Sequence, residues 1–408
     1  MKKPARPIWL TRNLFAISWV SLLQDAASEM LYPLMPIFLN TVLGAPAAIV
    51  GAIEGAAEGM MAATKLSSTW INRWIPRKMM VLFGYGAAAA GKLIIAMAAI
   101  WPVVLLGRVV DRLGKGVRSA ARDAILVQGV SASDRGKVIG FHRTSDTLGA
   151  VVGPALALSL LSLFDGNLRS VLWIAVIPAV LSTVAVLFIK DNDHATRKTP
   201  RKPSRKNSST ALDAELPTLP NAASHLSSKV KLLIWMLAVF SLLNFPDALV
   251  LLHLSQEGMT ITEVVGFYLL FNIAYASLSF PFGLLADKLK PQKIYALGLL
   301  CFAIAYGGLA LTNDKFFAAV LVIIYGGFAA ANDVVGKSWV SRLAGDTHQL
   351  AVQARLQGLS GFGLLISGIW AGLIWNFGSG FGTLPMLISA VGGLIAAAII
   401  FRTKLGQF

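Results

Sequence analysis

The sequence predicts an all-α integral membrane protein in which twelve transmembrane helices form two pseudo-symmetric six-helix bundles. The first observation is composition, because 56% of the 408 residues are hydrophobic and only 14% are charged. A soluble chain of this length has too little interior to bury that much apolar surface. The second observation is the length of the apolar runs, and the third is a motif repeated between the two halves of the chain.

Apolar runs recur along the chain, and each is as long as a bilayer crossing requires. A helix rises about 1.5 Å per residue, so roughly 20 apolar residues cross the hydrocarbon core. Runs such as 80–100, 171–189 and 384–401 meet that length. We therefore expect twelve spans, over 13–40, 47–70, 79–100, 103–127, 138–163, 169–189, 230–253, 260–285, 293–312, 315–339, 355–377 and 382–402.

The segment between the sixth and seventh spans has a different composition. Residues 191–228 are rich in Lys, Arg, Ser, Thr and Pro and hold few large apolar residues, which is typical of a disordered linker. The sequence therefore predicts an N-terminal six-helix bundle over 1–189, a basic cytoplasmic linker over 190–229 and a C-terminal six-helix bundle over 230–408.

The excess of positive charge is distributed by loop. The net charge is +16, and most Lys and Arg residues fall in alternate loops, with Arg169 and Lys315 as exceptions in the intervening ones. This positive-inside pattern predicts a multi-pass protein of a bacterial-type inner membrane with both termini in the cytoplasm. It also argues against nucleic-acid binding as the reason for the charge. Cys301 is the only cysteine, so we expect neither a disulfide framework nor a thiolate metal cluster.

The two halves of the chain repeat a loop motif at one fixed spacing. Four residues after the second span match four after the eighth at an offset of 215 positions: Asn72 with Asp287, Arg73 with Lys288, Pro76 with Pro291 and Lys78 with Lys293. The first and seventh spans also share a motif, Ser-Leu-Leu-Gln at 21–24 and Ser-Leu-Leu-Asn at 241–244. Two parallel six-helix repeats are one way in which secondary transporters are built.

These motifs resemble those of the major facilitator superfamily, and the resemblance covers the whole chain. The loops 72–78 and 287–293 resemble the family's cytoplasmic signature G-x-L-A-D-R-x-G-R-R/K, and Arg108 or Arg112 matches its conserved-arginine helix. Residues 149–154 read G-A-V-V-G-P and resemble the G-x-x-x-G-P signature associated with proton-coupled antiporters. The resemblance implies the family's fold and alternating access between its two halves.

The loop motif departs from the family signature in ways that bear on gating. In the family, the aspartate of the motif helps to latch the outward-facing state from the cytoplasmic side. Asn72 stands in its place and removes the charge from the first-half latch, while Asp287 retains it in the second half. Proline replaces the family's glycine at positions 76 and 291. The residues expected to act in gating are Asn72, Arg73, Arg122, Asp123, Gly149, Gly153, Pro154, Asp287 and Lys288.

The fourth span carries a stripe of charge. Arg108, Asp111, Lys115, Arg118 and Arg122 step by three and four residues, so they share one helix face. Charged side chains at membrane depth are costly and usually face a bundle interior or a wet cavity. The alternative is a surface amphipathic helix, but the opposite face is small and glycine-rich rather than a deep apolar wedge.

Acidic residues occur at membrane depth in the first, second and fifth spans. The resemblance implies that these spans and the fourth line a central cavity, where acids and arginines neutralise one another. We expect one acid to titrate during transport, and the alternative for the first-span pair is a purely structural contact with the arginines of the fourth span. The candidates for proton coupling are Asp25, Glu29, Glu54, Glu58 and Asp146.

Residues expected to bind substrate come from both halves. Pro246 interrupts the seventh span beside Asn244 and Asp247, and such a bend frees backbone carbonyls near a charge. Asp333 lies one turn from Lys337, so the alternative is that these two only pair with each other. The candidates for substrate binding are Arg108, Arg112, Lys115, Arg118, Arg143, Asn244, Asp247, Asn272 and Asp333.

The function expected from these features is secondary active transport, with proton-coupled export of a small organic molecule. The alternatives are import or exchange of an organic anion, to which arginines are suited, or transport of a metal chelate. A transporter-like membrane sensor with the basic linker as its output is the alternative from another class. We expect a monomer without cofactor or resident metal, energised by a proton gradient, whose partners are a small-molecule substrate and the lipid bilayer.

The sequence does not predict an enzyme. It shows no nucleophile–His–acid set and no metal-binding motif. Gly107, Gly114 and Lys115 do not form a P-loop, since the Ser or Thr after the lysine and the strand before the motif are both missing.

Overall fold

The computed structural model describes residues 10–72, 74–128, 130–131, 134–189, 226–344, 349–378 and 380–403. Most of the linker predicted over 190–229 lies outside these residues, and so does Arg73. Within the described ranges, the secondary structure is helical throughout. These ranges hold twelve successive helical segments, at the positions that the apolar runs predict.

The seventh segment is in two pieces, and the tenth contains one wider turn over Ala331–Gly336. The first segment continues to Val42 through short irregular turns. The helices are α1 (Arg12–Leu31), α2 (Ala47–Ile71), α3 (Arg77–Met97), α4 (Trp101–Leu126), α5 (Arg135–Leu163), α6 (Leu168–Ala185), α7a (Ser228–Phe240), α7b (Asp247–Gln256), α8 (Ile261–Lys288), α9 (Pro291–Leu309), α10 (Lys315–Ala330 and Lys337–Ala344), α11 (Gln349–Leu373) and α12 (Thr383–Arg402).

Helix length and composition separate the segments into two groups. Eight of the described helices are long and apolar enough to cross a bilayer: α3, α5, α6 and α8 to α12. The segments that fall short are α1, α2 and α4, which carry charges within their apolar runs, and α7, which is broken. Large apolar side chains such as Leu163, Phe280 and Phe316 are at least 70% exposed, as expected for a lipid-facing surface. The chain is an all-α integral membrane protein.

Successive helices run in opposite directions, so the loops alternate between two ends of the bundle. One end, called the basic end below, holds the α2–α3 and α8–α9 loops with Arg77, Lys78, Lys288 and Lys290. The other, called the opposite end, holds the α1–α2 and α3–α4 loops. Trp residues are enriched where a membrane meets water, and the exposed Trp74 lies at the basic end.

Side-chain caps fix where several helices begin at the opposite end. A helix leaves its first backbone N–H groups unpaired, and short polar side chains satisfy them. The Asn167 oxygen accepts from the Ser170 N–H at 3.2 Å at the start of α6. Asp314 accepts from the first turn of α10 at 2.9 Å, and Thr260 forms a reciprocal capping box with Glu263 on α8.

Glycines allow the closest contacts between helices. A methyl group on Gly91 of α3 would lie 2.5 Å from the Gly107 carbonyl oxygen of α4. A methyl group on Gly368 of α11 would lie 2.5 Å from the Gly51 carbonyl oxygen of α2. Only small residues let backbones approach this closely. The α2–α11 contact joins the N-terminal and C-terminal halves near the opposite end.

The break predicted in the seventh span lies between Phe240 and Asp247. Side chains from other helices satisfy the carbonyl groups that the break frees. The Trp370 indole donates to the Leu242 carbonyl at 2.8 Å, and the Ser367 hydroxyl donates to the Asn244 carbonyl at 3.3 Å. The Tyr306 hydroxyl donates to the Phe245 carbonyl at 3.4 Å. The bend is therefore held by α9 and α11.

Candidate functional site

Four charged side chains form a buried cluster between α2, α3 and α4. Arg108 pairs with Glu54 and lies 3.7 Å from Asp111, while Lys92 donates to Asp111 at 2.8 Å. All four residues are at most 5% exposed. Two positive and two negative charges balance one another where a single unpaired charge would be very costly. This cluster packs the N-terminal half and does not line either of the cavities described below.

Arg112 and Glu58 form a second ion pair one helical turn nearer the basic end. Their side chains lie 3.2 Å apart and are partly exposed, at 11% and 25%. Glu58 lines a cavity of about 310 Å³ whose other walls come from α7, α9, α10 and α11. Asn244 and Asp333 also line it. The stripe of α4 thus changes along its length from a buried cluster to a partly open pair.

The larger cavity lies between the two halves, on the basic-end side of the α2–α11 contact. Its volume is about 620 Å³, and α1, α2, α4, α5, α8, α10 and α11 contribute to its walls. The charged residues that line it are Asp25, Glu29, Lys65, Lys115, Arg118, Arg122, Asp123, Arg143, Asp146 and Lys337. Ten charged side chains therefore surround one space between the two halves.

Arg118 and Arg122 are held by the N-terminal half. The Arg118 guanidinium lies 4.4 Å from the centre of the Tyr85 ring, a cation–π contact, on the α3 side of α4. Arg122 lies 3.9 Å from Asp146 of α5, and it donates to Ser21 of α1 at 3.2 Å. It also pairs with its neighbour Asp123 at 3.0 Å. Arg122 thereby ties α4 to α1 and α5 at the wall of the larger cavity.

The two acids of α1 have different surroundings. The Tyr268 hydroxyl of α8 donates to the Glu29 carboxylate at 2.5 Å, so this bond joins the N-terminal half to the C-terminal half. Asp25 lies one turn away and faces the same cavity. Among the described residues, neither a hydrogen-bond donor nor an ion-pair partner contacts its carboxylate. Among the cations around Asp25, Lys115 has the strongest electrostatic effect on it, although the two side chains are not in contact.

Gly149 and Gly153 set the position of these acids. A methyl group on Gly149 would lie 3.0 Å from the Asp25 Cβ, and one on Gly153 would lie 2.8 Å from the Glu29 Cβ. The G-x-x-x-G-P segment of α5 therefore packs directly against the turns of α1 that carry the acids. Pro154 lies inside α5, and the helix runs on past it to Leu163.

In the C-terminal half, tyrosines bind the acids. Tyr325 donates to Asp247 at 2.5 Å, and Tyr275 donates to Asp333 at 3.1 Å. Asp333 also pairs with Lys337, one turn away on α10. Asp247 lines a small apolar pocket with aromatic neighbours rather than either larger cavity.

The two asparagines predicted to bind substrate differ in their contacts. The buried Asn272 side chain donates to the Tyr268 carbonyl at 3.1 Å within α8. Asn244 lies in the break of α7 and lines the smaller cavity, and its side-chain oxygen has no hydrogen-bond partner in the described part of the chain.

The residues predicted to act in gating are spread over the basic end and the α1–α5 contact. Asn72 lies just after α2, and Lys288 is exposed at the end of α8. Arg73 and the side chain of Asp287 lie outside the described part of the chain. Their roles in gating remain predictions.

Sequence reasoning missed a contact across the cavity. The Lys65 ammonium of α2 donates to the Gln357 side-chain oxygen of α11 at 3.0 Å, and both residues line both cavities. Lys65 lies seven residues after Glu58, which places it two turns along the same face of α2. That spacing could have indicated that Lys65 faces the same cavity as Glu58. Nothing in the sequence indicated its partner Gln357, which is 292 residues away.

Among the described residues, no three His, Cys, Asp or Glu side chains are grouped as a metal site would require. The walls of the larger cavity carry acids, bases, one tyrosine and amides, which are suited to binding a polar molecule and to exchanging protons.

Comparison with known proteins gives matches over nearly the whole chain. The family model described as Major Facilitator Superfamily matches residues 17–269 and 248–405. An uncharacterized MFS-type transporter of Methanocaldococcus jannaschii is 27% identical over 377 residues, which cover 90% of this chain and 89% of that protein. The galactose-proton symporter of Escherichia coli K12 is 30% identical over 127 residues, 31% of this chain and 27% of its own length. The crystal structure of the nucleoside transporter NupG has a TM-score of 0.77 at 13% identity, covering 97% of this chain and 100% of that one.

Proposed function

This chain belongs to the major facilitator superfamily, and we propose that it is a proton-coupled secondary transporter that exports a small organic molecule by alternating access. The observation that carries the proposal is the bond between Glu29 and Tyr268. It places a titratable acid of one half against a hydroxyl group of the other, at the wall of the cavity between them.

Proton binding at this position alters the contact between the halves. An ionised Glu29 accepts a charge-assisted hydrogen bond from Tyr268, which is about twice as strong as a neutral one. A protonated Glu29 loses that advantage, so the tie between α1 and α8 weakens as the acid takes up a proton. Asp25, one turn away and without a contacting partner among the described residues, is the second proton acceptor. The name of the E. coli symporter supports proton coupling as the energy source.

The position of the larger cavity supports entry of the substrate from the basic end. The glycine contacts of α2 and α11 close the opposite end, whereas the larger cavity lies on the basic-end side. The positive-inside pattern supports assigning this side, and with it both termini, to the cytoplasm. An exporter binds its substrate from there. The resemblance of 149–154 to the antiporter signature is the second reason for export.

Other features belong to the same proposal. The protein works as a monomer in an inner membrane without a cofactor, and its two halves span 1–189 and 230–408. The loops that contain Asn72, Arg73, Asp287 and Lys288, together with Arg122 and Asp123, close the basic end in the alternate state. We assign Arg108 and Glu54 to structural support, because they pair within the buried cluster.

Import or exchange of an organic anion is the second candidate function. It is favoured by one observation, the excess of basic over acidic residues in the larger cavity. Both candidates use the same cavity and differ in direction and in coupling.

The test is transport by the full chain in vesicles with an imposed pH gradient, using a substrate found by comparing metabolites of cells with and without the gene. Proton movement should follow addition of the substrate. Glu29→Gln should retain exchange of the substrate down its own gradient but lose proton movement. Glu257→Gln, the same substitution just after α7b at the opposite end, is the matched control.

Two outcomes would contradict the proposal. If Asp25→Asn and Glu29→Gln each leave coupled transport unchanged, coupling lies elsewhere. If deletion of residues 196–225 abolishes a cellular response while transport was never detectable, the protein is a sensor. This deletion keeps Ser227, whose hydroxyl caps α7a.

A further inference from the structure

The residues that line the larger cavity carry an excess of positive charge. Six basic and four acidic side chains line it, so the lining carries a net charge of +2 when all ten are ionised. One of the six, Lys337, is paired with Asp333 outside this lining, which leaves the surroundings positive. A cleft lined mainly by one sign of charge concentrates ligands of the opposite sign. Its volume of about 620 Å³ is in the range of pockets for small molecules, roughly 300–1,000 Å³.

Two of the six cations have no hydrogen-bond or ion-pair partner in contact with their side chains in the described part of the chain. Arg118, Arg122, Lys65 and Lys337 each contact a ring, a carbonyl, an amide or an acid. Among the described residues, no hydrogen-bond acceptor or acid contacts the side chains of Lys115 on α4 and Arg143 on α5. Both nevertheless lie within electrostatic range of Asp146, so they face the same part of the cavity.

The remaining walls hold few large apolar side chains. Within the described lining, Tyr275 is the only aromatic residue and Leu66 the only large aliphatic one. The other neutral residues are small or carry amides and hydroxyls, such as Gln353 and Thr147. A polar molecule therefore finds many hydrogen-bonding and charged groups in this lining.

We propose that the transported molecule is a small, water-soluble organic anion, a carboxylate, phosphate or sulfonate, held by Lys115 and Arg143. This inference rests on the proposed function, because it takes the larger cavity as the transport site. Alternating access requires the loaded cavity to close against water, and uncompensated charge at membrane depth is costly. A bound anion supplies the missing negative charge, and the Arg143 guanidinium offers it paired N–H donors.

The experiment measures the electrostatic preference of the cavity directly. Cys301→Ser removes the native cysteine, and Thr147→Cys places a thiol on the cavity wall one turn from Arg143. The purified full chain reacts with two methanethiosulfonate reagents of similar size, the anionic sulfonatoethyl and the cationic trimethylammonioethyl compounds. The ratio of their rates is compared with the ratio for Asn313→Cys in the exposed α9–α10 loop.

The anion-to-cation ratio at the cavity thiol should exceed that at the loop thiol by about tenfold or more. Lys115→Gln and Arg143→Gln should each lower it, and the double substitution should bring it close to the loop value. Lys315→Gln changes the net charge equally but lies far from the cavity, so it should leave the ratio at the cavity thiol unchanged. A ratio equal to or below the loop value in the unsubstituted cavity would overturn the proposal.

A second arm separates a soluble anion from a lipid headgroup. The measurement is repeated in nanodiscs of zwitterionic lipid and in nanodiscs that contain phosphatidylglycerol. If the soluble anion is correct, the ratio is the same in both. If anionic lipid abolishes the preference, the site binds headgroups and the proposal is wrong. Neither arm needs a pH gradient or transport, so failure of proton coupling would leave this result intact.

Discussion

The two halves of the molecule share a helix arrangement but differ in their interiors. Within the described residues, the buried Asp, Glu, Lys and Arg side chains all belong to the N-terminal half: Glu54, Lys92, Arg108, Asp111 and Arg118. The buried polar side chains of the C-terminal half are neutral or His, such as Asn272, Gln292 and His253. Its core is instead aromatic, with Phe302 4.1 Å from Tyr306 and 4.8 Å from Phe328 between ring centres.

This difference indicates a division of work between the halves. The N-terminal half holds two positive and two negative charges in its buried cluster, so a change of one proton there disturbs the balance. The C-terminal half holds its acids with tyrosine hydroxyls that are fixed by ring packing. Glu29 is where the two kinds of interior meet, because a C-terminal tyrosine binds an N-terminal acid there.

The largest effect should come from breaking the buried cluster. Arg108→Gln leaves Glu54 charged and unpaired, and loss of one partner of a buried pair typically costs about 3–5 kcal/mol. We expect a strong loss of folded protein, measured by thermal unfolding of the purified chain. Glu54→Gln combined with Arg108→Gln should recover part of the loss. Tyr306→Phe, in the aromatic interior, should cost about 1 kcal/mol or less. Equal losses for Arg108→Gln and Tyr306→Phe would remove the contrast between the halves.

The next effect should come from the α1–α5 contact. Gly153→Ala places a methyl group against α1 at Glu29, and overpacking of this kind costs about 1–3 kcal/mol. Proton-coupled transport should fall with stability, because the acid is displaced. Gly140→Ala on the same helix has open space around it and should be neutral. Normal transport in Gly153→Ala would show that the acids tolerate movement of α5.

A smaller effect should distinguish two tyrosine–acid bonds. Tyr268→Phe removes the bond between the halves, whereas Tyr325→Phe removes one within the C-terminal half. A hydrogen bond to a charged group contributes about 1.5–3 kcal/mol. Because water can partly replace the lost hydroxyl, we expect the transport rate of Tyr268→Phe to fall by roughly tenfold, which corresponds to about 1.4 kcal/mol. Tyr268→Phe should shift the pH dependence of transport, and Tyr325→Phe should leave it in place. The same shift for both would place coupling in both halves.

The smallest effect is expected at Lys337. Its ion pair with Asp333 is partly exposed, with both side chains above 40%, and such pairs contribute about 0–1 kcal/mol. Lys337→Gln should therefore change thermal stability by less than 1 kcal/mol. Greater destabilisation would indicate a second charged cluster in the C-terminal half.

The sequence was sufficient for features that depend on neighbouring residues. Apolar runs of fixed length predict the twelve segments, and Asn244 with Pro246 predicts the break in α7, because hydropathy and backbone chemistry are local. Lys92 has no acidic residue within its own helix, but packing brings it to Asp111 of the next helix. The bond from Tyr268 to Glu29 joins residues 239 positions apart, and no periodicity reports such a contact.

The break in α7 also limits how the C-terminal half can move. Its freed carbonyls accept from Trp370, Ser367 and Tyr306, so straightening the helix would sacrifice three hydrogen bonds, each contributing about 0.5–1.5 kcal/mol. These contacts therefore resist straightening of α7 and link its break to α9 and α11. A movement of the C-terminal half that keeps the bend would also keep these three helices in contact, and α11 carries the glycine contact with α2.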